Sequence, residues 1–137
     1  KEFTMRDGLN TLTPAVDKAV SAFIEDLHQR GMTEDVLLVM TGEFGRTPRI
    51  NKNGGRDHWG NLCPLVFVGG GLKMGQVIGQ SDPQGGEPIS DRISSPQVLA
   101  TIMNTLFDIG KLRLQQGLPR EIEATMTGGD PIPQLFS

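Results

Sequence analysis

Two short apolar runs constrain the fold of this chain more than any other feature. Residues 36–40 (VLLVM) and residues 65–68 (LVFV) are apolar at every position and do not alternate with polar residues. Such runs are typical of strands that are buried on both faces, as in a parallel sheet covered by helices. The sequence therefore predicts an α/β fold built on a parallel sheet.

Helices are predicted on both sides of this pair of strands. Residues 13–30 place apolar side chains at helical spacing, with Thr13 as the N-cap and Pro14 in the first helical position. A second helix is predicted after its N-cap Ser95, again with a proline in the first position. The tail from Lys111 onward is predicted to be irregular, with at most one helical turn.

Two strands are too few for the sheet that they imply. Sheets in globular proteins usually have about four to six strands, whereas 137 residues are enough for one ordinary domain. Residues 1–137 are therefore interpreted as a single, incomplete domain. Either a preceding segment of polypeptide or a second copy in an oligomer would complete the sheet.

Composition narrows the classes of partner. Thirteen basic and 16 acidic residues give a net charge of −3, which is not the electrostatic footprint of a nucleic-acid binder. No apolar run approaches the roughly 20 residues that cross a bilayer, and the first residues lack the apolar core of a signal peptide. The single cysteine, Cys63, excludes an internal disulfide, and its place at a strand start favours a buried structural thiol. We expect neither a nucleic-acid partner nor a membrane span.

Candidate metal ligands lie in the long loop between the two strands. In open α/β sheets, ligands bind beyond the carboxyl ends of the strands. Glu43 follows the first strand between two glycines, so it is either a metal ligand or general base, or a solvated turn residue. His58 is either a ligand, because neutral imidazole binds Zn, Mn or Fe, or a structural residue that holds the loop. Its neighbour Asp57 would orient the imidazole or bind the ion itself.

Two arginines of the same loop are candidates for substrate binding. Arg46 and Arg56 each carry a planar guanidinium that can clamp an anion, and the alternative for Arg46 is a surface ion pair. The glycine spacings of dinucleotide and nucleoside triphosphate sites are absent, as is the serine elbow of α/β-hydrolases. The sequence therefore identifies no catalytic nucleophile.

Two loop motifs and the strand after them resemble a known superfamily. The chain carries GEFGRTP at residues 42–48, GRDHW at residues 55–59, and a proline-led strand from Pro64. Together these resemble the C-terminal part of the alkaline-phosphatase superfamily, and most closely its bacterial sulfatase-like proteins of unknown function. The resemblance implies an alkaline-phosphatase-like domain with a helix-covered parallel sheet.

The resemblance also implies roles for individual residues. Glu43 takes the place of a metal-binding aspartate and His58 that of a later metal-binding histidine. Phe44 stands where the superfamily has a second metal-binding histidine. This position therefore differs from the pattern of a full two-metal site. The nucleophile and the remaining ligands would belong to a segment before Lys1.

The function implied by the resemblance is hydrolysis of sulfate or phosphate esters with a divalent metal (Zn, Mn, Ca or Mg). The substrate would be a small anionic ester, and the location would be periplasmic or extracellular. This chain alone is expected to be inactive. The alternative is a non-catalytic binding or scaffold domain of the same fold that has lost its metals.

Overall fold

The first helix is longer than the sequence predicts. A computed structural model of the chain describes residues 4–90, 92–115 and 117–136, and in it α1 spans Met5–Gln29, with Pro14 inside the helix. Thr4 is the N-cap, and its backbone and side chain both donate to the Asp7 carboxylate, at 3.0 and 2.8 Å. These hydrogen bonds hold the pKa of Asp7 below its usual value. The predicted start at Thr13 is wrong. Pro14 lies inside the helix, and the Thr4–Asp7 capping box sets the start.

Both apolar runs form strands, but the strands run in opposite directions. β1 (Leu37–Thr41) pairs with β4 (Leu65–Gly69) in an antiparallel register that places Leu37 opposite Gly69. The expected parallel pairing is therefore wrong for these two strands. Parallel neighbours need a crossover connection, usually a helix, whereas residues 42–64 return to the sheet through a second small hairpin. This hairpin pairs β2 (Gly45–Arg46) with β3 (His58–Trp59).

The C-terminal half is mainly helical. Its elements are α2 (Ser95–Leu106), α3 (Ile109–Leu112), α4 (Arg120–Thr127) and a 3-10 turn at Pro133–Leu135. The predicted second helix is confirmed, and its N-cap is Ser94, one residue before the predicted position. The prediction of an irregular tail is wrong at α4, which packs against α2 and buries Met126 and Ala100.

A small core joins the sheet to the end of the chain. Leu72, Ile132 and Leu135 are buried together, and Leu37 and Phe67 of the sheet pack against them. The backbone N–H of Lys73 donates to the carbonyl of Leu135 at 2.9 Å. The tail therefore holds one face of the β1–β4 pair.

Thr101 is the buried polar contact between α2 and the tail. It is completely buried, donates to the carbonyl of Gln97 at 2.7 Å and accepts from the backbone N–H of Ile132 at 2.9 Å. We expect Thr101→Val to lower the free energy of unfolding by about 1–3 kcal/mol, because the methyl group that replaces the hydroxyl has the same shape but accepts no hydrogen bond, which leaves the Ile132 N–H buried and unpaired. Urea unfolding would measure the loss.

The matched control for that variant is Thr105→Val on the same helix. The Thr105 hydroxyl only donates to the Thr101 carbonyl at 2.8 Å. Its loss leaves no buried N–H without an acceptor, so we expect a smaller change in stability. Equal losses in the two variants would contradict the role of Thr101.

The apolar side of α1 is largely uncovered. None of its 25 residues is fully buried, and Leu9, Leu12 and Val16 are 55%, 65% and 50% exposed. The accessible surface of the chain is 10314 Å², against about 7000 Å² for a compact monomer of this mass. The described helices include none that is long and apolar enough to cross a membrane.

Candidate functional site

The two sequence motifs meet in the small hairpin beyond the end of β1. Arg46 lies opposite His58 in the β2–β3 register, and Gly45 lies opposite Trp59. Gly45 is buried against the backbone of Leu62, where a Cβ atom would overlap the carbonyl. Because only a glycine permits this close approach, it keeps the two motifs together.

An aromatic ring connects the candidate imidazole to the candidate guanidinium. The rings of Phe44 and His58 lie 4.0 Å apart between centroids, with a tilt of 36°. The guanidinium carbon of Arg46 lies 5.8 Å from the centroid of the same Phe44 ring, within the range of a cation–π contact. His58 and Arg46 are both exposed. Phe44, the residue that departs from the superfamily pattern, therefore positions both groups.

The His58 imidazole is available to a ligand. It is exposed, and neither ring nitrogen has a hydrogen-bond partner among the described residues. A histidine that holds a loop would donate or accept through at least one of these nitrogens. The loop is instead held by other side chains.

Glu43 lies in the turn that leaves β1. Its carboxylate is exposed and has no hydrogen bond or ion pair within the described ranges. Cys63 lies beside this turn, with its thiol 3.3 Å from the carbonyl of Gly42. The thiol is exposed, so the expectation of a buried cysteine is wrong. The turn holds Cys63 at the surface, because the strand that would bury it begins two residues later at Leu65.

Arg56 and Asp57 hold the loop together. The Arg56 guanidinium donates to the carbonyl of Thr47 and, at 2.9 Å, to that of Arg46. The Asp57 carboxylate accepts from the Asn51 amide at 2.8 Å, and its backbone exchanges hydrogen bonds with Thr47. The roles predicted for these two residues, in substrate and metal binding, stay predictions, and the contacts that they make are within the loop.

Metal-binding side chains are not gathered into one cluster. Among the residues that the structure describes, no three His, Cys, Asp or Glu side chains come together to hold an ion. Glu43 and His58 are the two predicted ligands without hydrogen-bond partners, and Asp57 is engaged by Asn51. The arrangement therefore presents separate donors at the end of one strand.

Trp59 connects this hairpin to the segment after β4, a role that the sequence analysis missed. Its indole N–H donates to the carbonyl of Gly86 at 2.7 Å. The backbone N–H of Gly86 in turn donates to the Asp82 carboxylate at 2.7 Å. The only tryptophan of the chain, placed directly after His58, was the available signal, because a half-buried indole N–H usually finds an acceptor.

A cavity of about 300 Å³ lies away from these residues. It is bounded by the last turns of α1, including Phe23 and Leu27, and by Leu38, Val68 and Leu72. These sheet residues lie where β1 begins and β4 ends, whereas Glu43 follows the other end of β1. The cavity is therefore not part of the candidate site.

These elements define a mixed α/β protein. In the β2–β3 hairpin beyond the end of β1, the exposed imidazole of His58 and guanidinium of Arg46 both contact the ring of Phe44. The chain belongs to the family described as "Protein of unknown function (DUF1501)", which matches residues 4–136. The match includes both loop motifs. A search of curated proteins and a search of solved structures found no match to the chain.

Proposed function

We propose that this chain is the C-terminal portion of a metal-dependent hydrolase that acts on sulfate or phosphate esters. The observation that carries the proposal is the free His58 imidazole, stacked on Phe44 beside the Arg46 guanidinium. A metal-ligating group and an anion-binding group are the two requirements of such a site. The motif resemblance to the alkaline-phosphatase superfamily supports the same assignment.

The exposed donors fit the chemistry of a divalent ion in part. Glu43 and His58 would supply a carboxylate oxygen and an imidazole nitrogen, and both are without partners in the described part of the chain. Protein zinc sites use three or four such ligands, so further ligands and the nucleophile would come from a preceding segment. A divalent ion bound there would stabilise negative charge on the transferring oxygens.

Arg46 would hold the anionic part of the substrate. One of its N–H groups donates to the carbonyl of Arg56 at 3.3 Å, which leaves other donors of the planar group for a sulfate or phosphate oxygen. Phe44 would keep this guanidinium beside His58. The ester group would then lie between the arginine and the ion.

The β1–β4 pair would be the edge of a larger, helix-covered sheet of the alkaline-phosphatase type. An antiparallel edge strand on an otherwise parallel sheet is common. The chain exposes about 3300 Å² more than a compact monomer of its mass, which is surface that further elements of the sheet would cover. The uncovered apolar side of α1 supports this arrangement, because further elements would bury it.

Elemental analysis tests the metal site. We expect the full-length protein, with the preceding segment that supplies the further ligands, to retain one ion per molecule after dialysis against Zn²⁺ or Mn²⁺, and His58→Ala to lose it. His28→Ala is the matched control, since His28 is exposed in the last turn of α1, and it should bind as the unchanged protein does. Equal metal content in the His58 and His28 variants would contradict the proposal.

The second candidate function is a non-catalytic binding domain of the same fold. Two observations favour it: no three metal-binding side chains come together among the described residues, and Phe44 stands in place of a histidine. In that case neither the unchanged protein nor any variant would retain metal, and Arg46 would still bind anions.

A further inference from the structure

The basic residues of the hairpin are segregated from the rest of the chain. Residues 45–58 contain four basic residues and one acidic residue, a net charge of +3. The whole chain carries −3, so the other residues together carry −6. In the described structure the ion pairs lie elsewhere, and none of the four loop cations pairs with a carboxylate: Arg46, Arg49, Lys52 and Arg56.

The loop that carries these cations is held in one conformation by its own hydrogen bonds. The side-chain oxygen Oδ1 of Asn51 accepts from the backbone N–H groups of Asn53 and Gly55, both at 3.0 Å. The Gly54 carbonyl accepts from the backbone N–H of Met5 at 2.9 Å, which ties the loop to the start of α1. A fixed loop lowers the entropy cost of binding a charged ligand.

Two of the four cations make hydrogen bonds within the hairpin, and in the described chain the other two make none. Arg46 and Arg56 donate to backbone carbonyls of the hairpin. Arg49 and Lys52 are exposed, and their side chains make no hydrogen bond or ion pair with the described residues. These two charges are therefore free to contact a ligand.

We propose that this loop binds an oligoanion, a chain molecule that carries several sulfate or phosphate groups. One anionic group would lie at Arg46, and neighbouring groups would contact Arg49 and Lys52. Arg46, Arg49 and Lys52 are separate cations without a carboxylate partner in the described chain, a set that can contact several linked anionic groups. The inference rests on the proposed function, which places the reacting ester beside His58. It differs in the substrate, which would be a chain with repeated anionic groups and not a single small ester.

The other polyanionic partners fit the loop less well. The aromatic side chains beside the loop, Phe44 and Trp59, are half-buried, with Phe44 against His58 and Arg46, whereas single-stranded nucleic acid binds by stacking its bases on open aromatic side chains. Ile50 is the exposed large apolar side chain in this segment, 61% exposed, and one such residue does not form the apolar face that inserts into a bilayer. The acidic remainder of the chain also repels a long polyanion outside the loop.

Titration of the purified chain with four probes tests the proposal. The probes are a sulfated oligosaccharide, a linear polyphosphate, a single-stranded oligonucleotide, and vesicles with phosphatidylserine. The Arg49→Gln/Lys52→Gln variant should bind the sulfated or phosphorylated chain about 20- to 30-fold more weakly, with a flatter salt dependence. Lys18→Gln/Arg113→Gln removes the same charge from exposed positions without ion pairs and should bind nearly as the unchanged protein does.

Each outcome decides the question. The tighter of the sulfated and phosphorylated probes identifies the source of the anionic groups. Equal weakening in the two double variants, or tighter binding of the oligonucleotide or the vesicles, would overturn the proposal. Two proteins separate this inference from the proposed function: His58→Ala should lose the metal and keep oligoanion binding. An unchanged full-length protein that retains no metal but still binds the oligoanion would support the loop site and contradict the hydrolase.

Discussion

Gly45→Ala is expected to lower the free energy of unfolding by about 3 kcal/mol or more, the upper part of the range for overpacked positions. A Cβ at this buried position would overlap the carbonyl oxygen of Leu62 and come within 3.3 Å of the carbonyl of Trp59. Both obstacles are backbone atoms, so no side-chain rotation relieves the overlap. The β2–β3 pair must separate or the turn before β4 must move.

The consequence of Gly45→Ala for the site is measurable as well. Separation of β2 from β3 would remove His58 from the Phe44 ring, which now lies 4.0 Å away. The imidazole proton signals should then lose the ring-current shift that a nearby aromatic ring produces. Urea unfolding and proton NMR of the same sample would report the two effects together.

Gly60→Ala is the control for this variant. Gly60 lies next to the same hairpin, its φ is not positive, and an added Cβ would meet nothing within 4 Å. We expect a change within about 0.5 kcal/mol, as at other exposed positions. Similar unfolding midpoints for the Gly45 and Gly60 variants would show that the close approach at Leu62 is not required.

Gly69→Ala is expected to cost about 3–4 kcal/mol, from two sources. Gly69 has a φ of 79°, and a left-handed conformation costs a residue with a Cβ about 1–2 kcal/mol. The added Cβ would also overlap the carbonyl of Val36 and lie 2.8 Å from that of Thr33. Overpacking of this kind costs a further 1–3 kcal/mol or so.

A neighbouring glycine separates these two contributions. Gly71 has a φ of 69°, and a Cβ there would meet nothing within 4 Å. Gly71→Ala should therefore show only the conformational cost, and the difference between the two variants measures the steric overlap. If both variants unfold at the same urea concentration, the overlap at Val36 does not limit this turn.

Local patterns were enough to locate the main elements. The apolar runs at residues 36–40 and 65–68 correspond to β1 and β4, and Pro96 after a serine N-cap marks the start of α2. The same kind of local signal misplaced the start of α1, because Pro14 competes with the Thr4–Asp7 capping box. A helix can contain a proline, although the proline removes one backbone hydrogen bond. A rule that considers one residue at a time cannot decide whether Pro14 or the capping box marks the start of the helix.

The site could be predicted only as a set of residue types. The motifs predicted metal ligands at Glu43 and His58 and an anion contact at Arg46, and these roles stay predictions. The structure places all three residues at exposed positions, Glu43 in the turn after β1, Arg46 in β2 and His58 in β3. The sequence did not reveal that Arg56 and Asp57 make contacts within the loop. Neighbouring residues of a loop look alike in the sequence, and the hydrogen bonds that distinguish Arg56 and Asp57 are made to residues six to ten positions away.

The sequence by itself determined the two main strands, most of α1 and the position of α2, and which side chains have the chemistry to bind a metal or an anion, because these properties depend on short-range periodicity and side-chain chemistry. Only the tertiary structure decided the antiparallel direction of β1 and β4 and the contact of Phe44 with both His58 and Arg46. The strand direction and the Phe44–His58 contact depend on the register between segments that lie 14 or more residues apart. That register is set by close backbone approach at Gly45 and Gly69, which local pattern does not encode.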